Sequence, residues 1–155
     1  MRSARRTCEA GVLALWLGMS MVATPCAAGP SETASAPDDA LYRALGGAAG
    51  IARIVDGMVD RAYADPRIQK KFDGVNPRAL KESLRNQFCM LSGGACKYEG
   101  ETMKNSHAHL ALTKADFNAL VEDLQFAMDD AKVPFSVQNR LLALLAPMHR
   151  DIITK

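Results

Sequence analysis

An excess of charge of either sign is nearly missing from this 155-residue chain: nineteen Lys and Arg face seventeen Asp and Glu, a formal net charge of +2. Setting aside Arg2, Arg5, Arg6 and Glu9 at the start leaves sixteen of each sign, a near-neutral remainder. That balance excludes the basic footprint of a nucleic-acid or anionic-membrane partner. Cysteine is scarce, and of the four only Cys89 and Cys96 fall outside the first thirty or so residues. An uncharged, mostly apolar stretch, Gly11 to Ala23, is well short of the roughly 20 residues that a spanning helix needs. The chain shows no internal repeat, no convincing strand, no linker to a second domain and no flavin or nicotinamide motif. What is left is enough for one globular domain with 48% hydrophobic residues.

The start of the chain reads as an address rather than as part of that domain. A basic opening, the apolar stretch, and Cys26-Ala27-Ala28 before Gly29 form the pattern of a secretory signal peptide over residues 1–28. The expected location is therefore exported, and periplasmic. Cys26 also admits a lipoprotein variant, for which Pro25 is a poor fit, and Arg5-Arg6 admits a twin-arginine signal without its supporting residues. Residues 29–40, rich in Pro, Ser, Ala, Thr and acid, carry no apolar period and read as a disordered lead-in to a domain over 41–155. Cys89 and Cys96 would meet an oxidising compartment after export. Closing about eight residues is worth roughly 2–3 kcal/mol if the Cα atoms come within about 7 Å, and two free core thiols are the alternative.

The domain is all-α by its periodicity. Ile51, Ile54, Val55, Met58, Val59 and Ala62 share one face of a helix from Ala48 to Ala64, which Asp65-Pro66 ends. Asn76-Pro77 opens a helix through about Leu91, with Leu80, Leu84, Phe88 and Leu91 as its apolar stripe and Gly93-Gly94 as its stop. A short helical stretch leads to His107. Thr113 and Asp116 make a variant capping box for a helix to about Lys132, and Ser136 is expected to cap a last helix carrying Leu141, Leu142, Leu144, Leu145, Met148 and Ile152.

His107 is the residue most suggestive of chemistry, because a neutral imidazole is a common axial ligand of haem iron and apolar residues surround it in the sequence. Tyr42-Arg43-Ala44-Leu45-Gly46-Gly47, Asp65-Pro66, Phe72, Gly93-Gly94, Tyr98-Glu99-Gly100 and Met103 with His107 come in the order and near the separations of one family. From about Leu41 to the C-terminus the chain resembles the group 1 truncated haemoglobins. The resemblance implies a two-over-two helical sandwich around one haem b, with its single iron held by His107.

By the same resemblance Phe72 packs on the porphyrin at the corner before the distal helix, and Tyr98 and Met103 lie near the proximal side. Ordinary core packing would account for all three equally well. Many members place a tyrosine and a glutamine where this chain has Val59, Leu80 and Leu84, and Ser83 sits where some relatives carry a second iron ligand. The distal pocket is thus expected to be apolar. A donor to bound oxygen contributes on the order of 1–3 kcal/mol, so its loss implies a five-coordinate ferrous haem that keeps oxygen weakly and discriminates less against carbon monoxide and nitric oxide. A register shift of one turn would instead bring Tyr63 and Gln87 to the ligand. His149 lies in a stretch similar to the end of certain cyanobacterial members whose last-helix histidine bonds a haem vinyl group; a solvated histidine is the plainer reading.

Ligand binding at haem is therefore the leading class, with diatomic gases as partners. Conversion of nitric oxide to nitrate is an enzymatic extension that requires a partner reductase. An exported haem carrier or gas sensor is a second class. A zinc domain using Cys89, Cys96, His107 and His109 is a third, with spacing unlike the common zinc modules.

Overall fold

The structure is a computed structural model that describes residues 38–155. The expected signal peptide and nearly all of the lead-in lie outside the described residues. Regular structure among the described residues is entirely helical: α1 Ala40–Ala44, α2 Gly47–Ala64, α3 Pro77–Leu91, α4 Met103–His107, α5 Lys114–Asp130, α6 Phe135–Leu145 and α7 His149–Ile152. Short 3₁₀ turns occupy Gln69–Phe72 and Ala146–Met148.

Helix α2 is the centre of the molecule and packs against both α3 and α5. Its apolar positions recur every three or four residues, so Ile51, Ile54, Val55, Met58, Val59 and Ala62 fall on one stripe and are all buried. Gly50 lets α1 turn tightly into α2, since a Cβ there would sit 1.9 Å from the Leu45 carbonyl oxygen. Asp65 takes an extended conformation ahead of Pro66 and ends the helix. In α3 the Asn76 side chain accepts from the amides of Arg78 (2.9 Å) and Ala79 (3.3 Å), while Pro77 fills the first turn, where no amide proton is needed. Thr113 and Asp116 form the expected capping box of α5 in both directions. The core joins Leu41 and Leu45 to the α2 stripe, Phe88, Leu124, Met128 and Leu141.

The end of the chain departs from the expectation. Ser136 is not a cap: α6 begins at Phe135, behind Pro134, with no side-chain cap at all. Pro134 takes the N-cap position instead, and its carbonyl accepts from the amides of Val137 at 2.8 Å and Gln138 at 3.0 Å. The last helix is also not continuous, because Pro147 lacks the amide proton that an α-helical turn requires, and the backbone tightens into a 3₁₀ turn before α7. Cys89 and Cys96 are joined in a disulfide, with Cα atoms 5.8 Å apart. No helix among the described residues is long and apolar enough to cross a membrane.

Candidate functional site

A cleft of about 380 Å³ opens between α2, the corner at Phe72, α3, α4, α5 and the chain end. Its size falls in the range of about 300–1,000 Å³ usual for small-molecule sites. Val59, Leu80 and Leu84 line one part of it, with Phe72 at the corner; Tyr98, Met103 and His107 line another. These seven sequence-selected residues are thus brought to one place. The eighth is not: His149 is exposed, its ring 6.3 Å from that of Phe117 and its Nδ1 3.1 Å from the Ala146 carbonyl oxygen, while Met148 and Ile152 on either side reach the cleft.

His107 is the last residue of α4, a helix opened by Thr102, whose hydroxyl accepts from the Asn105 amide. The His107 Nδ1 lies 2.7 Å from the Met103 carbonyl oxygen, one turn back. That contact uses Nδ1–H as donor and leaves Nε2 free as a lone-pair base, the tautomer a metal ligand needs. His109 lies beyond the end of α4 and is exposed. The zinc alternative loses its ligands as well, because both thiols are consumed in the disulfide, and no group of three or more His, Cys, Asp or Glu among the described residues is placed to hold a metal.

The part of the cleft lined from α2 and α3 offers few polar atoms. Val59 is buried, Leu80 and Leu84 are partly so, and Ser83 is the one hydroxyl between them. Tyr63 does not line the cleft: its ring leans on Phe72 at 5.1 Å and its hydroxyl donates to the Val75 carbonyl at 2.9 Å. Burial pushes that phenol up from its ordinary value. Gln87 does line the cleft and is buried, with its amide nitrogen 3.5 Å from the Met103 sulfur and 3.8 Å from that of Met148. It therefore faces the methionine one turn before His107.

Sequence reasoning missed three parts of this lining. Phe117, Leu120, Val121 and Leu124 of α5 recur at helical spacing, and helical period carries nothing that distinguishes a neighbouring side chain from a ligand. Met148 and Ile152 had the same ambiguity. Lys71 gave no signal, since a lysine in a polar run reads as surface. Its ammonium nonetheless donates to the carbonyls of Leu110 (3.1 Å) and Ala111 (3.2 Å) and lies 3.8 Å from Asp116. The Asp116 carboxyl is held below the usual range first by the Thr113 amide, then by the Thr113 hydroxyl and Lys71, against an opposing effect of burial. The segment after His107 is also tied to the chain end, where the amides of Thr154 and Lys155 donate to the Leu112 carbonyl.

The loop from Gly94 to Thr102 carries Tyr98 toward α4. Gly94 is required there, since a Cβ would lie 2.5 Å from the Cys89 sulfur and 2.8 Å from the Tyr42 ring. Among the described residues, backbone groups of residues 95–101 make no hydrogen bond to other parts of the backbone. The disulfide is the covalent tie that holds this loop to α3.

Comparison with known proteins matches the bacterial-like globin family model to residues 40–154. The chain is similar to the group 1 truncated haemoglobin of Mycolicibacterium paratuberculosis, 28% identical over 114 residues that cover 74% of this chain and 84% of that protein. It is 24% identical over 115 residues to the group 1 truncated haemoglobin of Tetrahymena pyriformis, covering 74% of this chain and 95% of the relative. The solved Fe(III) form of a T. pyriformis truncated haemoglobin overlays with a TM-score of 0.71 at 23% identity, over 74% of this chain and 98% of that one. A 2/2 haemoglobin from Synechococcus, in the cyanomet state with covalently attached haem, overlays at 0.70 with 22% identity and the same coverage. The all-helical two-over-two architecture is common to these structures and to this chain.

Proposed function

The chain belongs to the bacterial-like globins, haem proteins with a gas-binding role, and from that premise we propose that it holds one haem b through His107 Nε2 and binds diatomic ligands in a pocket poor in hydrogen-bond donors. The cleft suits a flat, largely hydrocarbon macrocycle: its lining is mainly aliphatic and aromatic, with one imidazole whose Nδ1 is already engaged. When bound, the haem iron supplies the coordination position for the gas. The side chains around it do the rest. Met103 fixes the tautomer and direction of His107, Phe72 closes the corner, and Val59, Leu80 and Leu84 exclude water without offering a donor.

The single observation that carries this reading is His107 facing an apolar cleft with Nδ1 committed to the Met103 carbonyl at 2.7 Å. A gas that draws negative charge onto itself would gain most from a donor, and oxygen does so more than carbon monoxide or nitric oxide, so the side chains of Val59, Leu80 and Leu84 would disfavour oxygen relative to the other two. The test is the absorption spectrum of the purified protein, ferric and ferrous, with and without carbon monoxide. An intense Soret band that moves on adding carbon monoxide is expected, and His107→Ala must alter it. A pigment bound by that variant with an unchanged axial environment would overturn the assignment.

We further place the mature domain outside the cytosol, in the periplasm. The Cys89–Cys96 bond supports this, since such bonds persist in oxidising compartments. Recovery of the protein with the cytosolic fraction of its source cells would refute it.

A further inference from the structure

We propose that Lys71 is the anchor for one of the haem carboxylates. The inference rests on the haem reading above and assigns a residue that neither the family motifs nor the sequence singles out. Haem carries two ionised carboxylates on one edge of an otherwise apolar ring. A carboxylate entering a low-dielectric cleft must stay in water or meet a cation.

Among the residues lining the cleft, Lys71 is the one lysine or arginine. Its side chain is 30% exposed and lines the cleft, so it is in reach of both the cleft and solvent. Two of its three protons are used by the carbonyls of Leu110 and Ala111. The nearby Asp116 oxygen, at 3.8 Å, is beyond hydrogen-bond distance and is engaged by the Thr113 amide and hydroxyl, both at 2.8 Å. Among the described residues the ammonium makes no third hydrogen bond but is already ion-paired with Asp116, which also lines the cleft, so an incoming carboxylate would share this cation with Asp116. The nearest competing cations on α3 face elsewhere: Lys81 pairs with Asp60 at 2.6 Å and Arg85 pairs with Asp56.

Lys71 also spans the cleft's edge. It precedes Phe72 at the corner on one side and holds the segment following His107 on the other. A carboxylate seated on it would pin the ring between these two supports. The ligand chemistry is a carboxylate presented by a flat apolar body.

The test compares natural haem with haem dimethyl ester, which lacks the negative charges, by following transfer of each from the ferric protein to excess apomyoglobin. Lys71→Gln removes the charge and shortens the side chain while keeping an amide donor, and the ester comparison separates the loss of charge from the loss of reach to the Leu110 and Ala111 carbonyls. This variant is expected to lose natural haem about tenfold faster than the wild type, the scale of one charge-assisted hydrogen bond. Lys71→Arg should restore the wild-type rate, and with the dimethyl ester all three proteins should release alike. Equal acceleration with both haems would mean that Lys71 serves only the loop, and no acceleration with natural haem would mean that it does not touch the ring; either overturns the proposal. A wild-type protein that gives no Soret band with either haem would instead sink the haem reading itself.

Discussion

Leu84 lines the part of the cleft read above as the gas ligand's pocket and offers only methyl groups there. Leu84→Gln installs a donor of similar length, and stopped-flow should show oxygen leaving about tenfold more slowly, the kinetic equivalent of roughly 1.4 kcal/mol within the range of a charge-assisted bond. Tyr63→Phe should leave that rate unchanged, because the hydroxyl is spent on the Val75 carbonyl and the residue does not line the cleft. A second residue-scale prediction concerns Asp123, which is buried on α5 with one carboxyl oxygen lacking any partner. Burial pushes its pKa up, helped by Asp65 and Glu122 and opposed by Arg67 and Arg61. The folded state therefore holds a proton that the unfolded chain has already released, and stability falls as pH rises from the unfolded value through the folded one. Asp123→Asn should melt higher than the wild type near about pH 7, with the gain shrinking toward about pH 3. His107 and Phe72 were legible as residues because a motif surrounds them. Lys71 was not, because its role comes from side chains that only the fold brings near, and Gln87, raised only as a one-turn alternative, lines the cleft where Tyr63 does not.

The helices were read well where local chemistry decides them. Asn76-Pro77, Asp65-Pro66 and the Thr113/Asp116 pair each satisfy or remove backbone groups within four residues, so the sequence window contains the whole cause. The end of the chain was misread because Ser136 looks like a cap in isolation, while the helix has already begun at Phe135 with Pro134 at the N-cap. Capping energetics give a direct test at this scale. Thr113→Ala removes one arm of the capping box and should cost about 1 kcal/mol in urea unfolding, whereas Ser136→Ala should cost almost nothing, since its hydroxyl caps no helix. A loss at Ser136 equal to that at Thr113 would contradict the observed start of α6.

For the molecule as a whole, an apolar core on α2 and an apolar cleft beside it are built from the same residue types, which is why the class of fold was plain in the sequence and the full lining was not. Met58 and Phe88 belong to the core cluster and also border the cleft. His149 shows the limit of analogy between chains that share this architecture. Its neighbours Met148 and Ile152 reach the cleft while its own ring lies outside against Phe117. Acid-acetone extraction after reduction is therefore expected to remove all of the pigment, and colour left in the protein pellet would show a covalent bond at this histidine.

The bridge between Cys89 and Cys96 reaches further than its own two residues. It is the clamp on a loop that otherwise hangs without backbone support just ahead of the iron-binding candidate. Two batches of this protein differing by a pair of hydrogens, one made in a reducing host cytosol and one secreted, should differ in how long they stay red.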